Sequence, residues 1–495
     1  MGVRLDYSLT ELSSVYELLI TRAYKYIDCG CISKSLSYVK RAARIQYLLC
    51  DRVVDHRCTV ICKACSSALL GCDYSYEPND GVFLFYDSFT WDNRGLTQQY
   101  LDAIACIKDT KIVFVNEKKY TESSSHIYDF LKTINAEIYE LGVEGSDIEK
   151  IKVLHNIIMA HQPSKAFFHL TPYTIIPFVA FSNAKNCLKY QINLTDHAFW
   201  IGDGSFFDYS FEFRDFGCNL SLTRGFKEEQ IVDLPYYPWS QTEGFKGLPV
   251  NTDGKKVLFS GGALWKLDGD DDSYFIILKR ILDDNPNLLF FYAGDGDRTR
   301  FNKFISINGY ELRVFLLGNR SDIPEIIKRV DIYLGTFPVG GGLMSQFAAV
   351  NGKPLLIYGT TDIDEVLCNV KHDSIVFNDI DAIVAEARRL LIDDSYYNQK
   401  SKYYQSLVIN QDTFRKLFIT AIGGKSPREW SRYSVEIPNK ENLARINNVG
   451  YEMDGLLFPC APLLLNIKVI FNRVSSLPYL FKRISRYIKR ISKKR

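Results

Sequence analysis

No run of eighteen or more apolar residues occurs in this 495-residue chain, so no membrane-spanning helix is expected. The longest candidates, Ala166–Phe181 and Leu456–Leu465, are short or broken by Pro and His. The first residues, Met1-Gly-Val-Arg-Leu-Asp6, lack the charged-then-apolar order of a secretory signal. Asp6 also breaks the myristoylation pattern, which requires Ser or Thr there. Large net charge is absent too: 60 basic against 58 acidic residues leave +2, which argues against a general nucleic-acid binder. Twelve cysteines without a signal peptide imply a reducing compartment and free thiols. No acidic metal-binding motif lies near the glycine turns described below, so no metal is expected.

What the chain does contain is alternation. From about Ser8 to Cys72 apolar residues recur at helical spacing, as Leu12, Tyr16, Leu19, Ala23 and Ile27. Ala23, Gly30, Leu36 and Ala42 have the look of one tetratricopeptide-like unit, and a small helical cap is the simpler reading. Near Gly81 the period changes. Strands are expected at Val82–Tyr86, Lys111–Val115, Ala166–Leu170 and Tyr190–Leu194, with helices from Gln98 and over His126–Ile134 and Asp147–Ala160. After a turn-rich stretch from Ser240 to Gly254 a second series begins. Its strands are Lys256–Ser260, Leu288–Ala293, Leu312–Leu316, Asp331–Leu334, Pro354–Tyr358 and Ser374–Phe377. Its helices are Asp272–Leu282, Asp322–Lys328 and Ile380–Leu391. Such alternation reads as two α/β, doubly wound, Rossmann-like units facing a common cleft. The expected organisation is a cap over 1–78, a first α/β domain over 79–240, a second over 241–420, and a crossover and tail over 421–495.

Two strand ends in the second unit carry glycines. Val330 to Leu334 leads into Gly340-Gly341-Gly342, then the helical segment Leu343–Val350 with Gln346 on it. A bare turn before a helix start lets backbone amides approach an anion, and a diphosphate suits it. A triple glycine also serves as a plain flexible turn. Val257–Ser260 ends in Gly261-Gly262, with Lys266 four residues on, where an ammonium can neutralise a phosphate. In the first unit Asp196-His197 follows a strand end, and the imidazole suits proton abstraction from a hydroxyl, with Asp196 to orient it. Arg224, before Gly225, is a candidate phosphate or substrate contact.

These elements together resemble the GT-B glycosyltransferases, nearest to the branch of O-GlcNAc transferase and bacterial cytoplasmic N-glycosyltransferases. The resemblance runs over roughly 81–419. It implies a nucleotide-diphosphate sugar as donor substrate, no cofactor, and phosphate contacts from the Ser260–Lys266 and Phe337–Leu343 segments. Thr195–Phe199 with Arg224, and the Asp92–Thr97 loop with Arg94, resemble the acceptor side of bacterial polysaccharide glycosyltransferases. A growing surface polysaccharide or lipid-linked glycan is the acceptor this implies. One departure stands out. Relatives place an acidic residue for the ribose on the helix after the glycine turn, where this chain has Phe347 beside Gln346. The paired glutamates of retaining enzymes are missing, which leans toward inversion, and Glu365 is a substitute for the ribose contact.

Two further readings come from the residues. Cys58, Cys62 and Cys65 have the C-x3-C-x2-C spacing of an iron–sulfur site, but the same spacing puts all three on one helix face, where thiols pack as core. From Leu480 onward isoleucines alternate with eight Lys and Arg and no acid. On a helix this forms an apolar stripe under a cationic face, suited to lying on an anionic membrane surface. The expected location is cytoplasmic, peripheral on the inner face of the cell membrane. The rival is a non-catalytic scaffold with a degenerate nucleotide pocket.

Overall fold

The computed structural model describes residues 9–49, 52–71, 75–89, 95–142, 145–239, 244–267, 272–359, 367 and 375–435. Arg94, Glu365, the 456–465 segment and the 480–495 tail lie outside the described residues. Three helices come first: α1 (Leu9–Asp28), α2 (Ile32–Leu49) and α3 (His56–Leu70). Asp55 starts α3 as its N-cap, accepting from the Arg57 amide at 3.0 Å. No helix among the described residues is long and apolar enough to cross a membrane.

The first sheet has seven parallel strands in the order β3-β2-β1-β4-β5-β6-β7. They are β1 (Asn79–Asp87), β2 (Lys111–Asn116), β3 (Glu137–Glu140), β4 (Pro163–His169), β5 (Leu188–Ile192), β6 (Tyr209–Glu212) and β7 (Ile231–Asp233). Helices α4 (Leu96–Ala105), α5 (Ser125–Thr133), α6 (Asp147–His161), α7 (Ile176–Phe181) and α8 (Asp215–Thr223) connect them. The cap does not stand apart: Leu12, Leu19, Leu36 and Ile61 share one hydrophobic core with Leu84, Tyr86 and Phe168 of the sheet. The amphipathic faces of α1–α3 therefore find their burial on this sheet and not in further repeats.

The second sheet has six parallel strands in the order β10-β9-β8-β11-β12-β13. These are β8 (Val257–Gly261), β9 (Leu289–Ala293), β10 (Val314–Gly318), β11 (Ile332–Leu334), β12 (Leu355–Tyr358) and β13 (Val376–Phe377). Around them lie α9 (Ser273–Asp284), α10 (Thr299–Asn308), α11 (Ile323–Lys328), α12 (Gly342–Val350), α13 (Ile380–Ile392) and α14 (Asp394–Ser406). Leu312, placed by its sequence in a strand, instead precedes β10 and is 85% exposed.

The chain then returns to the first sheet. In α15 (Gln411–Ala421), Phe414 and Phe418 join the core of Phe85, Tyr100 and Phe167. Arg415 clamps Asp102 of α4 with two bonds of 2.8 Å. Beyond it the Asp233 amide donates to Ser426 Oγ at 3.0 Å, Ser431 N to Asp215 at 3.1 Å, and Val435 packs with Val53, Phe216 and Leu220. Residues 424–435 thus strap α8 and lead toward the cap.

Candidate functional site

In a parallel sheet, ligands bind where strand order reverses, at the carboxyl ends of the two strands that border the reversal. In the second sheet those strands are β8 and β11. Strand β8 ends in Gly261 and is followed by Gly262, while β11 is followed by Gly335 and Thr336 and leads to Gly340–Gly342. The two glycine turns meet. Lys266, in a short 3₁₀ turn over Leu264–Leu267, donates from Nζ to the Gly340 carbonyl at 2.9 Å. The Val339 amide donates back to the Lys266 carbonyl at 3.2 Å. Thr336 Oγ1 donates to the Val339 carbonyl at 2.7 Å, which holds the turn's shape. Helix α12 begins directly after it, so its first-turn amides, those of Gly342, Leu343 and Met344, have no carbonyl within the helix to accept them.

The glycines differ in what they do. Gly262 has φ +150, which only glycine adopts without strain. A Cβ on Gly294, at the end of β9, would lie 1.7 Å from the Gly262 carbonyl oxygen. One on Gly261 would lie 2.7 Å from Met344 Cε. These glycines build the turn. Gly341 does not need to be glycine for the fold. Its φ is −127, and a Cβ there would meet Thr336 Oγ1 at 3.7 Å and Lys266 Nζ and the Tyr333 hydroxyl at 3.8 Å. The space beside Gly341 is thus a small hollow lined by a hydroxyl, an ammonium and a phenol. Gln346 is buried at 1% exposure, and Phe347 belongs to the core with Phe259 and Leu355. Helix α12 carries no acidic residue at all.

Leu343, in the first turn of α12, packs against Leu96 and Tyr236 of the first domain, and so do Leu194 and Phe213. This apolar cluster joins Leu343, at the start of α12, to Leu194, three residues before His197 in the chain. His197 is 39% exposed, and its Nδ1 lies 3.6 Å from Asp196 Oδ1. Asp196 is gripped chiefly by Arg214, through Nε at 2.6 Å and Nη2 at 3.0 Å. Burial pushes the Asp196 carboxyl up, but the Arg214 guanidinium and the His197 ring outweigh it and hold the group below the ordinary carboxylate range. Arg224, expected at a phosphate or substrate, lies inside the first domain. Its side chain is buried, and Nη2 donates to the backbone carbonyls of Asp196 and Ala198. Beneath it, burial raises the Glu212 carboxyl to about 7, although Asn193, Ser210 and Ser221 all donate to it.

A second polar group was missed. The first sheet reverses at β1 and β4, whose last residues are Asp87 and His169. Thr97 Oγ1 lies 3.0 Å from both Asp87 Oδ2 and His169 Nδ1. Asp87 also accepts the Phe89 amide at 2.8 Å, and the Phe89 ring covers the imidazole with centroids 4.8 Å apart. The available signal was positional: Asp87 and His169 directly follow the strand runs Val82–Tyr86 and Ala166–Phe168.

The three cysteines take the core position that their helical spacing implied. Cys58, Cys62 and Cys65 lie on α3 inside the core, and no disulfide involves them. Burial pushes the Cys58 thiol up to about 12 and Cys65 to about 11, and holds Cys62 well above its ordinary value. Their surroundings are the apolar side chains of the cap and first sheet, the core packing that their one-face spacing implied.

No family model matches this chain, and no curated protein matches it by sequence. Solved structures do match in fold. The Anabaena protein HepE, solved with UDP and glucose, superposes with a TM-score of 0.52 at 12% identity, over 70% of this chain and 100% of its own. The O-GlcNAc transferase of Thermobaculum terrenum gives 0.51 at 14% identity, over 83% of each chain. A Listeria monocytogenes protein assigned as a UDP-N-acetylglucosamine 2-epimerase gives 0.51 at 11%, over 72% of this chain and 100% of its own. The fold is the GT-B arrangement of two Rossmann-like units.

Proposed function

We propose that the protein is a glycosyltransferase that moves a sugar from a nucleoside-diphosphate sugar to an acceptor hydroxyl. The observation that carries this reading is the convergence of two glycine turns and one ammonium at the reversal point of the second sheet, around a polar hollow at Gly341. Diphosphate oxygens placed there receive the first-turn amides of α12 and the Lys266 ammonium, which releases its hold on the Gly340 carbonyl. As the bond from the anomeric carbon to the diphosphate oxygen breaks, negative charge grows on the leaving group. Fixed donors aimed at that charge supply a large part of the rate.

On the other side of the crevice His197 is the proposed base. It takes the proton of the acceptor hydroxyl as that oxygen attacks the anomeric carbon, with Asp196 beside Nδ1. A single displacement inverts the anomeric centre and needs no metal to complete its proton balance. Because the solved HepE structures hold UDP, uridine donors are the first to try. The proposed acceptor is a glycan or a lipid-linked glycan at the inner face of the cell membrane, where the basic 480–495 segment would hold the enzyme.

Titration with UDP by calorimetry tests the donor site. Wild type is expected to bind, and Lys266→Ala to bind about tenfold to a hundredfold more weakly, the loss of one charge-assisted contact. Equal affinity in both would remove Lys266 from the diphosphate site. One observation favours a second reading, a membrane-associated scaffold with a degenerate pocket: Phe347 in the core leaves α12 without an acidic ribose contact. UDP binding with no turnover of any uridine sugar would favour it.

A further inference from the structure

We infer that Arg224 is a positioning residue, whose buried guanidinium locks the two peptide carbonyls flanking His197 and so fixes that ring at the crevice. The inference rests on the reading of His197 as the base. One nitrogen, Nη2, serves both carbonyls, that of Asp196 and, at 2.8 Å, that of Ala198. The loop is tied at its other side as well: the Ala198 amide and Trp200 Nε1 donate to the Thr195 carbonyl at 3.0 and 3.3 Å, and the Trp200 amide to Val53 of the cap segment at 3.0 Å.

The charges around this loop form a closed set. Arg214 holds the Asp196 carboxylate, and Glu212 lies below Arg224, each side chain at 6% exposure or less. Helix α8 can approach because residue 217 is glycine: a Cβ there would fall 2.5 Å from Glu212 Oε2 and 3.2 Å from Asp196 Cβ. Two arginines and two carboxylates buried together are a poor way to gain stability, since apolar replacements of equal volume usually do as well. What this set does provide is direction. His197 is its one member with substantial exposure, at 39%. With Asp196 pinned by Arg214, the carboxylate near Nδ1 favours the tautomer that carries its proton there and turns Nε2 outward as the acceptor of a proton.

Nitrogen-15 spectra of histidine-labelled full-length protein test this without any substrate. The His197 signal, among those of seven histidines, is assigned as the one missing in His197→Gln. Wild-type His197 is expected as one tautomer, protonated on Nδ1. In Arg224→Gln it is expected to become a tautomer mixture with broadened signals, while UDP affinity stays within twofold. If Arg224→Gln fails to fold because Glu212 is left uncompensated, the pair Arg224→Gln/Glu212→Gln removes both charges and is measured in its place. An unchanged single tautomer in a folded variant, or a mixture already present in wild type, overturns the inference. A purely structural Arg224 would lower the melting temperature and leave the His197 signals alone. Full turnover in His197→Gln would sink the base reading separately, and leave the spectral result for Arg224 intact.

Discussion

Gly341→Ala separates an architectural glycine from a functional one. In the free protein the new methyl has room: its nearest neighbours are at 3.7 and 3.8 Å, ordinary contact distances, and φ of −127 is open to any residue. Gly341 is the N-cap of α12, where alanine is worse than glycine by about 1 kcal/mol or less. A domain of this size should therefore lose only about 2–4 °C in melting temperature. The bound state is a different matter. The methyl would occupy the hollow between Thr336 Oγ1, Lys266 Nζ and the Tyr333 hydroxyl, where the proposed diphosphate oxygen sits. Displacing it forfeits one or two charge-assisted hydrogen bonds, about 1.5–3 kcal/mol each. UDP affinity should fall by roughly tenfold for the weaker single loss and beyond a hundredfold for the stronger. Calorimetric titration with UDP and a thermal melt on the same samples give both numbers. Wild-type affinity in Gly341→Ala would refute the placement of the anion, and a melt lowered by about ten degrees or more, well past that range, would refute the claim that the glycine is dispensable to the fold.

Gly294→Ala should behave in the opposite way, because its Cβ would fall 1.7 Å from the Gly262 oxygen; a loss of about 3 kcal/mol or more in urea unfolding is expected, and a wild-type midpoint would contradict the packing at β9. Glu212 makes stability depend on pH. Burial raises its carboxyl to about 7 from an ordinary 4.5, so the folded state holds the proton more tightly than the unfolded chain. Stability is then highest below the unfolded value, falls as pH climbs from 4.5 to about 7, and levels off above. Urea unfolding at about pH 5 and pH 8, either side of that window, should show a smaller difference in Glu212→Gln than in wild type, and an equal difference would mean that Glu212 is not the group. Native protein treated with a thiol reagent should react at the exposed Cys29 and Cys106 and spare Cys58, Cys62 and Cys65, whereas rapid labelling of the last three would contradict their burial.

The strands that could be read along the chain are those buried on both faces. Val82–Tyr86, Lys111–Val115 and Leu288–Ala293 are near-continuous apolar runs, as parallel sheets require. The ones that escaped notice are short and mixed. Strand β3 is Glu-Ile-Tyr-Glu, β6 Tyr-Ser-Phe-Glu and β7 only Ile-Val-Asp, and β3 and β7 lie at sheet edges where one flank needs no partner. Helix α14, Asp394–Ser406, is too polar to carry a stripe, and α15 gains its burial from Phe85, Tyr100 and Phe167, far earlier in the chain. Both lack the local signal that periodicity relies on.

Residue chemistry along the chain was enough for the α/β alternation, for the glycine turn before a helix, and for a lysine near a bare strand end, because each is a local property of a few neighbours. Whether Gly262 with Lys266 and Gly340–Gly342 share one hollow was decided by strand order. Strand β11 lies beside β8 on the side away from β9, and only that crossover sets the two turns side by side. Tertiary packing likewise buried Arg224 against the carbonyls of Asp196 and Ala198, and paired Asp87 with His169 from strands distant in sequence but adjacent in the sheet. Burial and adjacency depend on how distant segments fold over one another, and no short window of sequence contains that information.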